Sequence, residues 1–153
     1  MIQCVPKGIC SWNYELRGST ENALIEFNWP TEQGRISIAQ TEYKVKKHGP
    51  GSGYWTLEQA GQIHVSAKKK ALIRKFDMES PMGRLLLSAE TPLTRAFLLT
   101  RNDQNLARMA PVHPFTKRAE IAVEFVDYEF PTVCFSFWLA VLMWRRSASS
   151  SAS

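Results

Sequence analysis

Apolar and polar residues alternate with a period of two along most of this chain. In the segment ALIEFNW, one face carries Ala23, Ile25, Phe27 and Trp29. The same alternation recurs in RISIAQ, EYKVKK, YWTLE, QIHVSA and EIAVEF, and it is less strict in NYELRG, ALIRKFDM, RLLLSAE, RAFLLT and NLARMA. Alternation of this kind is typical of strands that bury one face, so we predict a strand in each of these eleven segments.

Turn-forming sequences separate the predicted strands at intervals of about ten residues. PTEQG, HGPGSG, EQAG, ESPMG and RNDQN are examples, and we find no exact internal repeat. The pattern runs from about residue 12 to residue 127 and predicts eleven or twelve antiparallel strands. Because a meander of this length must protect its two edges, we expect it to close into a barrel. The lumen of such a barrel is too wide for the wall to fill, so something must occupy it.

The C-terminal part of the chain has a different pattern. Between Val133 and Trp144 only Ser136 is polar, and large apolar side chains point in every direction around a helical wheel. Pro131 suits the first turn of a helix, and residues 131–146 are therefore predicted to be helical. We assign the structural core of this helix to Phe135, Phe137, Trp138, Leu139, Leu142 and Trp144.

A helix that is apolar all round lies either inside protein or inside lipid. The apolar run spans about 18 Å, whereas the hydrocarbon core of a bilayer is about 30 Å thick. Arg145 and Arg146 end the run, so we favour a core helix within the barrel. The alternative is a tail-anchored membrane protein with residues 131–146 in the bilayer, because MWRR resembles an interfacial anchor.

Composition places the chain among globular domains. It has 153 residues, of which 44% are apolar and 22% are charged, enough for one domain with a substantial core. We assign residues 1–146 to a single domain and expect the Ser/Ala segment 147–153 to be disordered. The cysteines Cys4, Cys10 and Cys134 form no metal-ligand pattern, and the N-terminus has no secretory h-region. We therefore expect a cytoplasmic protein that needs no metal and no cofactor.

The predicted fold is mainly β, a closed antiparallel barrel that encloses one hydrophobic C-terminal α-helix. In FDMESPMGRLLLSAE, AFLLTRNDQNLARMAPVHPFTKRAEIAVEFVDYEF and TVCFSFWLAVLMWRR, the chain resembles the tubby C-terminal superfamily, which includes the phospholipid scramblases and the LURP-one-related proteins. The resemblance implies a barrel around a central helix and phosphoinositide binding by basic residues of the barrel. Scramblases carry an acidic calcium-binding segment before this helix. Only Asp127 and Glu129 stand there in this chain, so calcium-dependent scrambling is not expected.

Basic residues dominate the charge of the chain, which has a formal net charge of +5. The densest group, in AKKKALIRKF, consists of Lys68, Lys69, Lys70, Arg74 and Lys75. We interpret it as a candidate site for anionic phospholipid head groups, although lysines that protect a solvated strand edge give the same pattern. Smaller groups are Lys44, Lys46, Lys47 and His48, and Lys117 and Arg118. Nucleic-acid binding is not expected, because no exposed aromatic residues are interleaved with the lysines.

Catalytic signatures are absent from the sequence. It contains no GxSxG, Walker or GxGxxG motif, and His48, His64 and His113 lie far apart. We therefore expect a non-catalytic, monomeric, tubby-like domain that binds anionic phospholipid at a membrane surface or serves as a scaffold. A small hydrolase or a carrier whose site has no recognisable signature is a further alternative.

Overall fold

The computed structural model describes residues 1–151, which form twelve β-strands followed by one α-helix. The elements in chain order are β1 (Ile2–Pro6), β2 (Tyr14–Arg17), β3 (Asn22–Asn28), β4 (Gln33–Ile38), β5 (Thr41–Lys47), β6 (Tyr54–Gln59), β7 (Gln62–Lys69), β8 (Lys75–Ser80), β9 (Gly83–Ala89), β10 (Phe97–Arg101), β11 (Gln104–Pro111), β12 (Ala119–Val123) and α1 (Phe130–Ser151). The prediction of a mainly β fold with one C-terminal helix is confirmed.

The strands form a closed antiparallel barrel in which each strand pairs with its neighbours in the sequence. Pairing of β1 with β12 closes the wall and places Ile2 opposite Ile121 and Cys4 opposite Ala119. Without β1, the edges of β2 and β12 would both be left unpaired. β1 is the strand that the alternation did not predict, because its five residues include only two buried positions, Ile2 and Cys4.

The lumen of the barrel is filled by α1. Every residue from Thr132 to Trp144 is buried, and the six core positions predicted for the helix are at most 4% exposed. Aromatic rings of the helix pack against rings of the wall. Phe137 meets Tyr14 edge to face at 5.0 Å between ring centroids, and Trp138 stacks on Phe27 at 4.7 Å. The helix therefore supplies the interior that a wide barrel needs.

One side of α1 is held close to β3 and β4 at Gly34. The Trp138 indole Nε1 donates a hydrogen bond to the Glu26 carbonyl at 3.2 Å and crosses Gly34. A Cβ atom on residue 34 would lie only 2.7 Å from that nitrogen and would also collide with the Glu26 carbonyl oxygen. Glycine is therefore required at this position for the close approach of helix and wall.

Hydrogen bonds hold both ends of α1, and its C-terminal end differs from the prediction. Glu129 caps the first turn, because its carboxylate accepts hydrogen bonds from the Thr132 backbone N–H at 2.9 Å and from the Thr132 hydroxyl. At the other end we expected a disordered tail from residue 147, but the helix continues through Ser151. The Ser150 hydroxyl donates to the Arg146 carbonyl at 3.0 Å, which satisfies part of the last turn. Residues 152 and 153 lie outside the described residues.

We call the end of the barrel where α1 emerges the rim and the opposite end, where α1 begins, the floor. Six connections lie at the rim, namely β1–β2, β3–β4, β5–β6, β7–β8, β9–β10 and β11–β12. The floor has the five alternate hairpin connections and the segment between β12 and α1. Among residues 1–151, no helix has both the length and the apolar character needed to cross a membrane.

Candidate functional site

The charged residues of the connections are distributed unequally between the two ends of the barrel. The connections and helix end at the rim contain two acidic residues, Glu32 and Glu90, and eight basic ones, Lys7, Lys70, Arg74, Arg95, Lys117, Arg118, Arg145 and Arg146. The floor connections contain no Lys or Arg and five acidic residues, Glu21, Asp103, Glu124, Asp127 and Glu129. Among these connections, the rim is therefore the positive end of the barrel and the floor the negative end.

The five basic residues proposed from the sequence all lie at the rim. Lys68 and Lys69 end β7, Lys70 and Arg74 lie in the β7–β8 connection, and Lys75 begins β8. Their surroundings differ, because Lys68 and Lys70 are exposed whereas the other three are partly buried. Residues 71–74 were predicted to belong to a strand, but they form the turn before β8.

A cavity of about 230 Å³ opens beside this basic segment. Four of its lining residues are cationic and come from separate elements: Lys47 from β5, Lys69 from β7, Lys70 from the following turn and Arg146 from α1. The glycine-rich β5–β6 loop forms another part of the lining through Gly51, Ser52 and Gly53. The cavity therefore combines several positive charges with a small polar loop, a composition that suits an anion.

Glu32 holds two of these cations in place. Its carboxylate accepts hydrogen bonds from Arg146 Nε at 2.7 Å and Nη2 at 2.6 Å, and from Lys47 Nζ at 2.7 Å. Hydrogen bonding to Arg146 is the main cause that lowers the pKa of Glu32 to about 2, with a further contribution from Lys47. The carboxylate thus fixes the positions of both cations and neutralises one of their two charges.

Lys69 is a partly buried cation next to another cation. Its pKa is lowered, first by burial and then by the positive charge of Arg146. Both effects disfavour the charged ammonium, and a bound anion would relieve the repulsion from Arg146. The cavity is therefore electrostatically prepared for a negative group, because Glu32 compensates only part of the charge that surrounds it.

Other rim cations connect neighbouring loops. Arg74 Nη2 donates to the carbonyls of Thr91 at 3.0 Å and Pro92 at 2.7 Å in the β9–β10 connection. Arg95 in turn donates to the Pro114 carbonyl at 2.6 Å in the β11–β12 connection. Lys117 continues the series with a hydrogen bond to the Ser11 carbonyl at 3.3 Å in the β1–β2 connection. Arg74, a predicted anion ligand, thus contributes charge to the rim while one of its nitrogens orders the adjacent loop.

A group of polar side chains on β6 and the loop before it bears on the hydrolase alternative. His48 Nε2 lies 2.7 Å from the Thr56 hydroxyl oxygen, and that hydroxyl donates to Glu58 at 2.7 Å. Because the Thr56 proton goes to the carboxylate, His48 must be the donor to Thr56 and does not act as its base, as a nucleophile would require. Within residues 1–151, no group of three or more His, Cys, Asp or Glu side chains is placed to hold a metal ion.

Sequence reasoning found the basic segment but not the cavity. Lys47 was assigned to a separate basic group and Arg146 to the helix end, and no local signal joins them. A weaker signal was present in the rim loops, where Pro-Leu-Thr-Arg at 92–95 parallels Pro-Phe-Thr-Lys at 114–117. These two loops have the same backbone hydrogen bonds, so the similarity is structural.

Comparisons of this chain with protein-family models, curated proteins and solved structures found no match. Membership of the tubby C-terminal superfamily stays a prediction.

Proposed function

We propose that this protein is a non-catalytic domain that binds membranes peripherally, with its rim against anionic phospholipid head groups. The observation that carries the proposal is the charge of the connections, which are mainly basic at the rim and acidic at the floor. Each basic residue near an anionic surface contributes about 1 kcal/mol of attraction, whereas the acidic floor is repelled. A molecule charged in this way approaches a negative membrane in one orientation.

The cavity between Lys47, Lys69 and Arg146 is the proposed place for an individual head group. Its volume of about 230 Å³ equals that of roughly eight water molecules, at about 30 Å³ each. Phosphate oxygens there would give the Lys69 ammonium anionic acceptors in addition to the Lys70 carbonyl, to which it donates at 3.2 Å. The same chemistry accommodates a phosphate-bearing lipid of any kind, so selectivity among lipids depends on the further contacts that each head group makes.

The enclosed position of α1 favours this mode over the tail-anchored alternative. The large side chains of residues 133–144 pack against the inside of the barrel wall. Inserting that segment into a bilayer would empty the lumen and expose the inward face of the strands. Binding through the rim leaves the core intact.

Vesicle binding of two charge-reversal variants tests the proposal. The variant K68E/K70E changes the rim, and R17E/R84E changes β2 and β9 on the floor side of the wall. Each substitution pair lowers the net charge by the same amount, so the two variants differ only in where the charge is altered. Arg17 and Arg84 are paired with Glu15 and Glu79 at exposed positions, where such pairs contribute little to stability.

We expect the wild type to bind phosphatidylserine-containing vesicles and not pure phosphatidylcholine, with an affinity that falls as salt is raised. K68E/K70E should weaken binding about tenfold or more, and R17E/R84E should leave it near the wild-type value. Co-sedimentation at several salt concentrations measures the affinities. Equal losses in the two variants would show that only net charge matters and would refute binding through the rim.

A further inference from the structure

The rim carries large apolar side chains that the core does not use. Four of them are almost completely exposed: Ile9 at 97%, Leu72 at 100%, Leu93 at 97% and Phe115 at 96%. They lie, in the same order, in the connections β1–β2, β7–β8, β9–β10 and β11–β12. These four connections are consecutive around the rim, because β1 pairs with β12. We infer that these loop tips insert below the head groups of the membrane, an inference that rests on the function proposed above.

The loops are built to a common plan that leaves the tip side chain unused. Four of the rim loops contain the same seven-residue hydrogen-bonded turn, which in the second includes the first residue of β6: Lys7–Asn13, His48–Tyr54, Glu90–Ala96 and Val112–Arg118. In each, the first N–H donates to the last carbonyl, and the fifth N–H donates to the second carbonyl. The fifth residue is always Ser or Thr, and its hydroxyl accepts from the seventh N–H.

The fourth position of this loop lies between those hydrogen-bonded residues, and its side chain is not needed for the turn. Leu93 and Phe115 occupy it in two loops, Cys10 in a third and Gly51 in the fourth. A solvent-exposed turn has no need of leucine or phenylalanine, since polar residues satisfy turn geometry as well or better. Large apolar groups at these tips therefore indicate a surface that they enter.

Leu72 provides an independent indication. Its backbone is left-handed, with φ 64°, although leucine is unfavourable in that conformation and glycine or asparagine is preferred. Its side chain is fully exposed and gains nothing from the core. Since neither local conformation nor burial favours leucine here, an interaction outside the folded chain is the remaining physical reason for it.

The tips are held in a fixed arrangement before any partner is met. Arg74, Arg95 and Lys117 each donate hydrogen bonds to carbonyls of the next loop around the rim. From inside the barrel, Trp144 Nε1 donates to the Arg95 carbonyl at 2.8 Å. Loops ordered in this way lose little conformational entropy on insertion.

The alternation of apolar tips with cations favours a lipid surface over a protein partner. Lys7 precedes Ile9, Lys70 precedes Leu72 and Arg118 follows Phe115 by two or three residues. The core of a protein interface is depleted of charged residues, and a scattered pattern of this kind does not suit it. At an anionic bilayer, by contrast, apolar groups enter the acyl boundary while the cations between them remain at the level of the phosphates.

Cys10 offers a direct probe of insertion in the wild-type chain. It is exposed and occupies the tip position of its loop, whereas Cys4 and Cys134 are buried. The pKa of each buried thiol is raised, mainly by burial, so a thiol-reactive fluorophore such as NBD labels Cys10 selectively. The matched control is C10S/V126C, which carries the label on an exposed residue at the floor.

We expect NBD at Cys10 to shift to the blue and brighten on phosphatidylserine-containing vesicles, and lipids with a quencher on the acyl chain should quench it. The floor label should show neither change. Co-sedimentation of the labelled protein without a change at Cys10 would overturn insertion while leaving electrostatic docking intact. A blue shift of the floor label instead would overturn the assigned orientation.

Polar substitutions at the tips give the second test. The affinity of L93S/F115S for anionic vesicles should be about tenfold lower than that of the wild type, or lower still. Its remaining binding should disappear at moderate salt. The control I63S/V126S removes apolar side chains that are exposed towards the floor and should bind like the wild type.

L72N separates binding from folding at the left-handed position. Because asparagine suits that conformation, its Tm should equal or exceed that of the wild type while vesicle binding weakens. Unchanged binding of both L93S/F115S and L72N would sink the insertion model, whereas K68E/K70E tests electrostatic docking separately.

Discussion

The rim and the floor are made by the same twelve strands, yet they differ in loop length, charge and exposed apolar surface. At the floor, four hairpins turn in two residues, and three of these turns have left-handed backbone, at Ala39, at Ala60, and at Asn102 and Asp103. Rim hairpins use longer connections of four to seven residues. Chain beyond the minimum needed to reverse a strand is where proteins place binding groups, and most of it here lies at the rim.

The two ends also fasten the central helix with different chemistry. At the floor, Glu129 caps α1 and lies 2.5 Å from His64 Nε2. At the rim, Arg146 is paired with Glu32, and the indole of Trp144 reaches a loop carbonyl. The floor contacts start the helix, whereas the rim contacts couple its end to the cationic cavity. Three sets of variants test how much the helix and its contacts with the wall contribute to the stability of the barrel.

Removing α1 should have the largest effect. Deleting residues 130–153 empties the lumen and exposes the inward face of every strand, at about 1.5–3 kcal/mol for each large apolar side chain affected. This loss exceeds the usual stability of a domain, about 5–15 kcal/mol, so no cooperative thermal transition should remain. Deleting only residues 147–153, which follow the buried part of the helix, should leave that transition close to the wild-type one. A well-folded barrel without α1 would contradict the role assigned to the helix.

A methyl group at Gly34 should have an intermediate effect. In G34A the new Cβ meets Trp138 Nε1 and the Glu26 carbonyl, so the free energy of unfolding should fall by about 1–3 kcal/mol. Urea denaturation measures this loss. In the double variant G34A/W138F the smaller ring removes part of the collision, and the two effects should be less than additive. Full additivity would show that the helix does not press on the wall at this point.

The acid dependence of stability should show the smallest effect. Glu32 has a pKa of about 2 in the folded chain against an ordinary value of 4.5, so its contribution is fully present above pH 4.5. It is lost as the pH falls towards 2, because the unfolded state then binds the proton more readily. After allowance for the partial exposure of the carboxylate, we expect a loss of about 1 kcal/mol.

The comparison of E32Q with the wild type isolates this contribution. The free energy of unfolding of the variant, measured in urea from pH 7 to pH 2, should fall less steeply below pH 4.5 than that of the wild type. The matched control is E129Q, which also replaces one carboxylate by an amide but at the floor. Parallel pH profiles for wild type and E32Q would show that the rim ion pair does not stabilise the fold.

Local patterns were sufficient for most of the architecture. Alternating residues predict strands because each strand buries one face, and an all-apolar helix predicts enclosure because it has no face for water. β1 was missed because Ile2 and Cys4 are too few to form a pattern, and its partner β12 is distant in the sequence. The segment at Leu72 was assigned to a strand because its apolar residues resemble buried ones, although they lie in an exposed turn.

The candidate site also contains residues that the sequence identified and residues that it did not. Lys68, Lys69 and Lys70 were found because they are adjacent in the sequence, and adjacent residues stay close together in any fold. Lys47 and Arg146 were not joined to them, because β6 separates β5 from β7 and only the position of α1 in the lumen brings the helix end to the same cavity. The exposure of the loop tips could not be predicted either, because an apolar residue type does not show whether its side chain is buried or exposed.

By itself, the sequence determined that this protein has a β-barrel with a lumen to fill and an apolar helix to fill it. Both follow from periodicity over a few residues, which sets the face that each segment buries. The tertiary structure decided which strand closes the wall, which end carries the positive charge and which loops project. Those properties depend on the pairing of distant segments and on the direction in which the helix crosses the barrel.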